Sequence, residues 1–220
     1  MNRPSVHDFY YKKSAGIIAA ALVDMLGKQG KEKSSLSILD VGCGKGEIMN
    51  ALNREGLNPI GVDVNPACAE SARTFGSTFV ADIITLDKLF SEKPFDVVIC
   101  SHVLEHVENP KRAVGILKSI SSKYLVIAVP NLFRIANFAI RKPRYVNEGH
   151  MHGWDAPHFK TFLELHCGLT IMRWIPDGVF ISPLHAIFGL NSRLLDALEY
   201  KMLPKVVPQM QNALIVICEK

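Results

Sequence analysis

The stretch Ile38-Leu39-Asp40-Val41-Gly42-Cys43-Gly44-Lys45-Gly46, answered downstream by Ile60-Gly61-Val62-Asp63, leaves few folds open to this chain. It reads as a buried strand, a turn of alternating glycines, a helix, and a second strand ending in a carboxylate. Glycine lacks a Cβ, so the backbone turns tightly and comes within contact distance of a ligand. The helix that follows, from Glu47, offers unpaired N–H groups and a positive dipole end at that spot. Asp63, at the tip of the second strand, is placed to accept from both hydroxyls of a ribose, as in nucleotide-binding α/β folds. The pattern predicts an adenosine-type cofactor at the carboxyl ends of parallel strands.

The spacing and charge narrow the cofactor. A dinucleotide fingerprint, G-x-G-x-x-G, has its third glycine three residues after its second, with pyrophosphate on the helix N-terminus. Here Gly46 comes one position early and Glu47 occupies the reserved place. Glu47 and Asp40 are poor neighbours for two phosphates. They suit a ligand carrying a sulfonium and an α-ammonium, which describes S-adenosylmethionine.

Asp40 to Gly46 resembles motif I of the class I S-adenosylmethionine-dependent methyltransferases, and later segments keep that family's order. Asp63 matches its ribose-holding acid, with Val64 beside it. Phe79-Val80-Ala81-Asp82-Ile83 resembles its third strand, so Asp82 and Ile83 are expected at the adenine. Phe95 to Val107 is similar to the fourth strand and loop of the ubiquinone-pathway and related small-molecule methyltransferases. The likeness covers about Leu36 to Asn131. It implies a Rossmann-like α/β fold: a seven-stranded, mostly parallel sheet with one antiparallel edge-type strand and helices on both faces. By the same resemblance Gly42, Cys43 and Gly44 meet the methionine part through backbone, and Ser101 and His102 line its side of the site.

The chain has 220 residues, enough for one well-buried core and small for two domains. One domain over 1–220 is expected, with an N-terminal helix at 8–27 and substrate-covering segments at 131–160 and 176–208. Net charge is +4, a balance that ordinarily reflects a solvated surface. No dense Lys/Arg run or aromatic RNA motif points to nucleic acid. The five cysteines are dispersed without a Cys-x-x-Cys pair, as in a reducing compartment. No signal peptide is apparent, and the apolar run from Ala15 to Leu26 is too short to span a bilayer and contains Asp24. A cytoplasmic protein is expected.

Apolar residues at helical spacing (Ile17, Ile18, Ala21, Leu22, Met25, Leu26) predict an amphipathic helix before the first strand. Strands are then predicted at 36–41, 59–63, 77–81, 95–100 and 123–129, and helices at 46–55, 66–74 and 109–120. The strands are continuous apolar runs, as in a parallel sheet covered on both faces. Beyond Pro130 a helix is expected over Leu132–Ile140, a basic loop over Arg141–Gly153, a helix over Asp155–Cys167 and strands over Leu169–Ile175 and Asn212–Cys218. By resemblance these last two pair antiparallel at the sheet edge, the final strand lying beside the fifth. The excursion from Pro176 to Pro208, with a helix at Arg193–Leu203, either covers a site, packs, or makes an oligomer contact; a homodimer stays open.

Methyl transfer from a sulfonium is an in-line displacement with a neutral leaving group, so positioning carries most of the catalysis. A base is needed only for a hydroxyl or a protonated amine. His102 and His106, leaving the fourth strand, are the first candidates; His106 either touches substrate or forms a structural bond or cap. His102-x-x-Glu105-His106 also matches a metalloprotease pattern, but its place after a buried parallel strand argues against that chemistry. Relatives with Glu-x-x-Glu-His there hold a divalent metal; His102 replaces the first Glu here, and no metal is expected. A second cluster runs from Glu148 to Phe159 with three histidines in twelve residues. Asp155 is expected to cap the next helix, Trp154 to pack below, and His152 or His158 to face the acceptor. Arg134, Arg141, Lys142 and Arg144 either attract an anionic substrate or solvate a loop. The Glu148–Phe159 segment is also similar to methyltransferase-like proteins of the methionine-biosynthesis group. A small-molecule methyltransferase is therefore expected. The rivals are a methyltransferase-fold partner or regulator of a biosynthetic enzyme and, with no convincing Tyr-x-x-x-Lys pair, a nicotinamide-dependent dehydrogenase.

Overall fold

A computed structural model describes residues 6–27, 35–92, 94–134, 148–181, 184–185 and 192–220. Its elements are α1 (Val6–Gly27), β1 (Ile38–Val41), α2 (Glu47–Arg54), β2 (Pro59–Asp63), α3 (Pro66–Ala72), β3 (Thr78–Val80), α4 (Leu86–Leu89), β4 (Phe95–Ser101), α5 (Pro110–Ile120) and β5 (Ser121–Pro130). They continue with α6 (Ala156–Thr161), β6 (Thr170–Ile175), α7 (Arg193–Ala197), α8 (Leu203–Val206) and β7 (Ala213–Glu219). All strands form one seven-stranded sheet in the order β3-β2-β1-β4-β5-β7-β6. The first five are parallel, and β7 runs antiparallel to both β5 and β6. The antiparallel strand is thus inserted beside β5, and β6 takes the edge. Strand order reverses between β1 and β4, and at such a switch point the loops leave in opposite directions and open a crevice.

The helices start where short polar side chains can satisfy their first N–H groups. Asn65 accepts from Ala67 N, Asn109 from Arg112 N, and Asp155 from His158 N, each with a proline in the first turn. Gly46, ahead of α2, has no side-chain cap, so that helix end stays open to a ligand.

One face of the sheet packs Leu39, Val98, Leu125 and Val216 beneath Leu86, Val114, Leu117, Phe159 and Leu163. The other packs Ile38, Val97, Ile99, Val126 and Ile217 beneath Ile18, Leu22, Leu26 and Leu52. β1, β4, β5 and β7 are buried almost throughout, as continuous apolar strands should be. The edge strands are not: Phe79 and Val80 of β3 and Met172 and Trp174 of β6 are exposed, where each strand has a hydrogen-bonded neighbour on one side only. Between β3 and β4, where no element is expected from periodicity, the structure has a 3-10 turn (Ile83–Thr85) and α4. Four residues are too few to register a helical period, yet they carry the crossover. Helix α1 is clamped at both ends: Tyr10 Oη donates to Asp177 Oδ2 at 2.7 Å, and Arg173 Nη1 to Asp24 Oδ2 at 2.7 Å.

Much of the predicted helix at Leu132–Ile140, and Arg141, Lys142 and Arg144, lie outside the described residues. The helices expected at Asp155–Cys167 and Arg193–Leu203 are present, but each widens into a π turn, Phe162–His166 and Leu198–Met202.

Gly61 shows how tightly β1, β2 and α2 meet. A Cβ there would sit 2.6 Å from Met49 Sδ and 2.9 Å from Cys43 Sγ. Gly61→Ala is expected to lower unfolding free energy by about 1–3 kcal/mol in urea denaturation, the usual effect of overpacking. An unchanged midpoint would mean that this contact is slack.

Candidate functional site

The glycine turn closes by backbone bonds that only left-handed glycines permit. Gly42, Gly44 and Gly46 have φ of 74°, 54° and 87°. Gly42 N and Cys43 N both donate to Val62 O, at 2.7 and 3.0 Å. Gly44 N donates to Asp63 Oδ2 and Asn65 N to Asp63 Oδ1, both at 2.8 Å. The Asp63 side chain is therefore locked at the end of β2, and each oxygen keeps acceptor capacity to spare.

A cavity of about 900 Å³ opens over the carboxyl ends of the strands. Of the residues selected from sequence, Gly42, Cys43, Gly44, Asp63, Val64, Asp82, Ile83, Ser101, His102 and His106 all line it. Asp82 caps the 3-10 turn after β3 by accepting from Ile84 N at 3.1 Å, which holds it at the mouth.

Asp40 lies under this floor, 1% exposed. Neither of its carboxylate oxygens has a hydrogen-bond partner. Burial, then the nearby charges of Asp63 and Glu47, push its pKa from 3.8 up to about 7. An orphaned carboxyl beside two further acids is a poor structural element and a good counter-charge for a cationic ligand. Ser14 of α1 lines the same cavity, and its buried hydroxyl is also unpartnered.

Beyond β4 the backbone of His102 takes φ 57°, an uncommon conformation for a non-glycine residue, with its N–H on Ala128 O at 2.9 Å. This turn puts the imidazole against the edge of Tyr11, ring centroids 5.1 Å apart, with side-chain exposure of only 9%. His102 Nδ1 lies 3.4 Å from Glu105 Oε1 without hydrogen-bond geometry. Glu105 is 1% exposed, and its main-chain carbonyl accepts from Met151 N and His152 N, tying the segment after 148 to the end of β4. His106 Nδ1 contacts Gly149 O at 2.9 Å, and its ring meets His150 edge-on at 4.7 Å. Glu105, His106 and His150 bring one ligand-type atom each within 4.8 Å of one another, a spacing that would also suit a divalent cation. Partial burial lowers the pKa of His150; Glu105 opposes this, while His106, Arg134 and His102 add to it.

The second histidine cluster is only partly brought to the cavity. Met151 lines it. His158, selected as a catalytic candidate, does not: its side chain is 80% exposed and its Nδ1 lies 2.7 Å from Asp155 Oδ1. The first turn of α6 points that position away from the sheet, so His158 serves the cap. His152 stacks on Trp154 with Nε2 3.3 Å from Glu108 O, outside the cavity lining. Trp154 is buried against Phe159 and Phe162, as expected.

Tyr11 and Ser14 were not selected from sequence. The available signal for Ser14 was a hydroxyl four residues before Ile18, in line with the apolar face of the predicted helix. Tyr11 gave none, because which loop α1 would cover is a tertiary fact.

A sheet of this order, with a glycine turn, an acid ending β2 and a cavity at the switch point, defines a nucleotide-cofactor-binding α/β protein of the methyltransferase type. A family profile described as a methyltransferase domain matches residues 11–171, and the chain belongs to that family. Over 97 residues it is 34% identical to the ubiquinone biosynthesis O-methyltransferase of Rickettsia felis, covering 42% of this chain and 40% of that enzyme. With the enzyme of the same name from Rickettsia conorii it is 35% identical over 105 residues, 46% of this chain and 36% of that one. The chain thus matches about two-fifths of the length of these curated relatives. Among solved structures, the fold is similar to the plantazolicin methyltransferase BamL in complex with a triazolic desmethylPZN analog and SAH (TM-score 0.65, 19% identity, covering 98% of this chain and 86% of that one). It is also similar to the magnesium protoporphyrin IX methyltransferase of Synechocystis PCC 6803 with bound SAH (TM-score 0.64, 14% identity, 100% and 90% covered).

The Asp40 carboxyl makes the ligand-free protein pH-sensitive. Its folded pKa of about 7 exceeds its ordinary 3.8, so the folded state binds the proton more tightly than the unfolded chain. Stability from this group is then fully present at low pH and is lost as pH rises between those two values, by at most about 4 kcal/mol. Asp40→Asn should leave stability unchanged at acid pH and increase it progressively toward neutrality, read by urea denaturation across pH. A difference that stays flat with pH would remove Asp40 as the source.

Proposed function

We propose that the protein transfers a methyl group from S-adenosylmethionine to a small-molecule acceptor whose nucleophile carries a proton. One observation carries this reading: the Asp63 carboxylate, fixed by Gly44 N and Asn65 N on the cavity wall, with acceptor capacity left for a ribose diol. The donor set fits the rest of that molecule. Asp40, with no partner of its own, supplies the counter-charge for an α-ammonium; the open start of α2 supplies N–H groups for a carboxylate; and Asp82 and Ile83 stand at the adenine end. When bound, S-adenosylmethionine supplies an activated methyl on a positively charged sulfur.

The chain's own residues then have positioning and proton chemistry to do. A cavity of about 900 Å³ has room for a small acceptor beside a cofactor and lies in the range of small-molecule sites. His102, buried and set by its left-handed backbone, takes the acceptor's proton, with Glu105 Oε1 3.4 Å from its Nδ1. Tyr11 packs edge-on against the His102 ring and helps keep water from it.

Calorimetric titration with S-adenosylmethionine and, separately, NADH tests the cofactor. Only the former should bind, and Asp63→Ala should weaken it about a hundredfold, the loss of two hydrogen bonds to a charged acceptor. Equal affinity in the variant would sink the ribose assignment. For the base, His102→Asn should retain cofactor affinity while lowering turnover by about 10²–10⁴ with an acceptor found by screening. An unimpaired variant would leave His102 as packing only.

A further inference from the structure

The helical run 192–206 divides its charges by sign. Its inner side carries the acidic groups and Tyr200. Glu199 is fully buried, with Oε2 2.7 Å from His185 Nε2 and Oε1 accepting from Ile181 N at 2.7 Å. Tyr200 lies so close over Gly178 that a Cβ there would meet its ring at 2.5 Å. The outer side carries Leu194, Met202 and Val206, exposed by 73%, 59% and 74%. The other exposed side chains of the run are Arg193, Lys201 and Lys205. No acidic side chain of 192–206 is exposed: besides Glu199, Asp196 is half-buried and held by Lys13 Nζ at 2.7 Å.

The backbone keeps these apolar groups on one side. Residues four apart in an α-helix drift by about 40° around the axis. The π turn between α7 and α8, closed by Leu203 N on Leu198 O, is wider, so four residues fall short of a full circuit and return Met202 toward the line of Leu194. The Lys13–Asp196 pair fixes the run to α1, the helix whose Tyr11, Ser14 and Ala15 line the cavity.

We infer that this face is a docking surface for an anionic lipid bilayer. Apolar side chains flanked by cations, with no exposed anion among them, are what an interfacial helix presents to acyl chains and acidic headgroups. The charge also disfavours the simplest rival, a two-fold contact between copies, which would set Arg193, Lys201 and Lys205 against their own counterparts. The inference stands apart from methyl transfer, since it rests on none of the cavity residues.

Sedimentation of the full chain with vesicles tests it. The protein should pellet with vesicles of phosphatidylcholine and phosphatidylglycerol, stay in the supernatant with phosphatidylcholine alone, and be released by salt. The double variant Lys201→Glu, Lys205→Glu should bind the anionic vesicles about thirtyfold more weakly or worse, the factor for losing two surface cations. Leu194→Glu with Met202→Glu should lose at least about tenfold. Leu165→Glu, at another exposed apolar position, should bind as the parent does. All variants should keep the parent's melting temperature, which separates lost docking from lost folding. The inference is overturned if the parent ignores vesicle charge or fails to pellet, or if the folded variants bind undiminished. It is equally overturned if ultracentrifugation shows a dimer that the same substitutions dissociate, or if only an acidic protein occupies the face.

Discussion

The splice between the glycine turn and β2 is the constraint on which the site depends. Val62 O accepts from Gly42 N and Cys43 N, and the Asp63 carboxylate accepts from Gly44 N and Asn65 N. These bonds hold the loop after β1 and the start of α3 in one rigid piece. They exist because glycines at 42, 44 and 46 take left-handed backbone angles and because Gly61 has no Cβ to push Cys43 and Met49 away. A Cβ on Gly42 would run into Val103, so the loop after β4 is packed against the same turn. The loops after β1 and β4 are thereby fixed relative to each other, and on the methyl-transfer reading proposed above that is the main requirement for an in-line displacement.

Electrostatics give the two ends of the cavity different characters. Around the glycine turn lie Asp40, Glu47 and Asp63, an uncompensated acidic set that raises Asp40 and pushes the Cys43 thiol out of its usual range, burial being the larger cause in both. Past β4 the wall is mixed, with His102, His106, Glu108 and Arg112 lining it, and the buried Glu105 lies behind among His102, His106 and His150. Stability is sacrificed at both ends, since unpartnered buried carboxyls are costly. The face at 192–206 adds a third character, cationic and apolar, on the solvent side.

Much of this was legible before any coordinates. Buried strands announce themselves as apolar runs, so β1, β2, β4, β5 and β7 fall within two residues of expectation. The glycine spacing and the acids at 40, 63 and 82 are local signals, and the residues drawn from them line the cavity or lie directly beneath it. Short or edge elements were harder. α4 is one turn long, and β3 looks like a buried strand in sequence but lies at one edge of the sheet, while the place of β6 at the other edge came from the resemblance and not from its apolar pattern. Histidines were hardest: a histidine three residues past a capping Asp looks the same whether its helix turns it inward or out, and His158 is turned out.

The chain's own order of residues determined the sheet's parallel half, the glycine turn and the ribose-type acid, because each depends on backbone angles and contacts within a few residues or one crossover. Tertiary structure alone decided the rest. Tyr11 and Ser14 reach the cavity because Asp24 and Asp177, 149 and 167 residues from their partners Arg173 and Tyr10, clamp α1 across the sheet. Glu105 gathers three histidines because loops from 101 and from 148 meet, and the outer face of 192–206 is exposed because Glu199 pulls the other face in. Such pairings are set by packing and charge across long sequence separations, which no local pattern records.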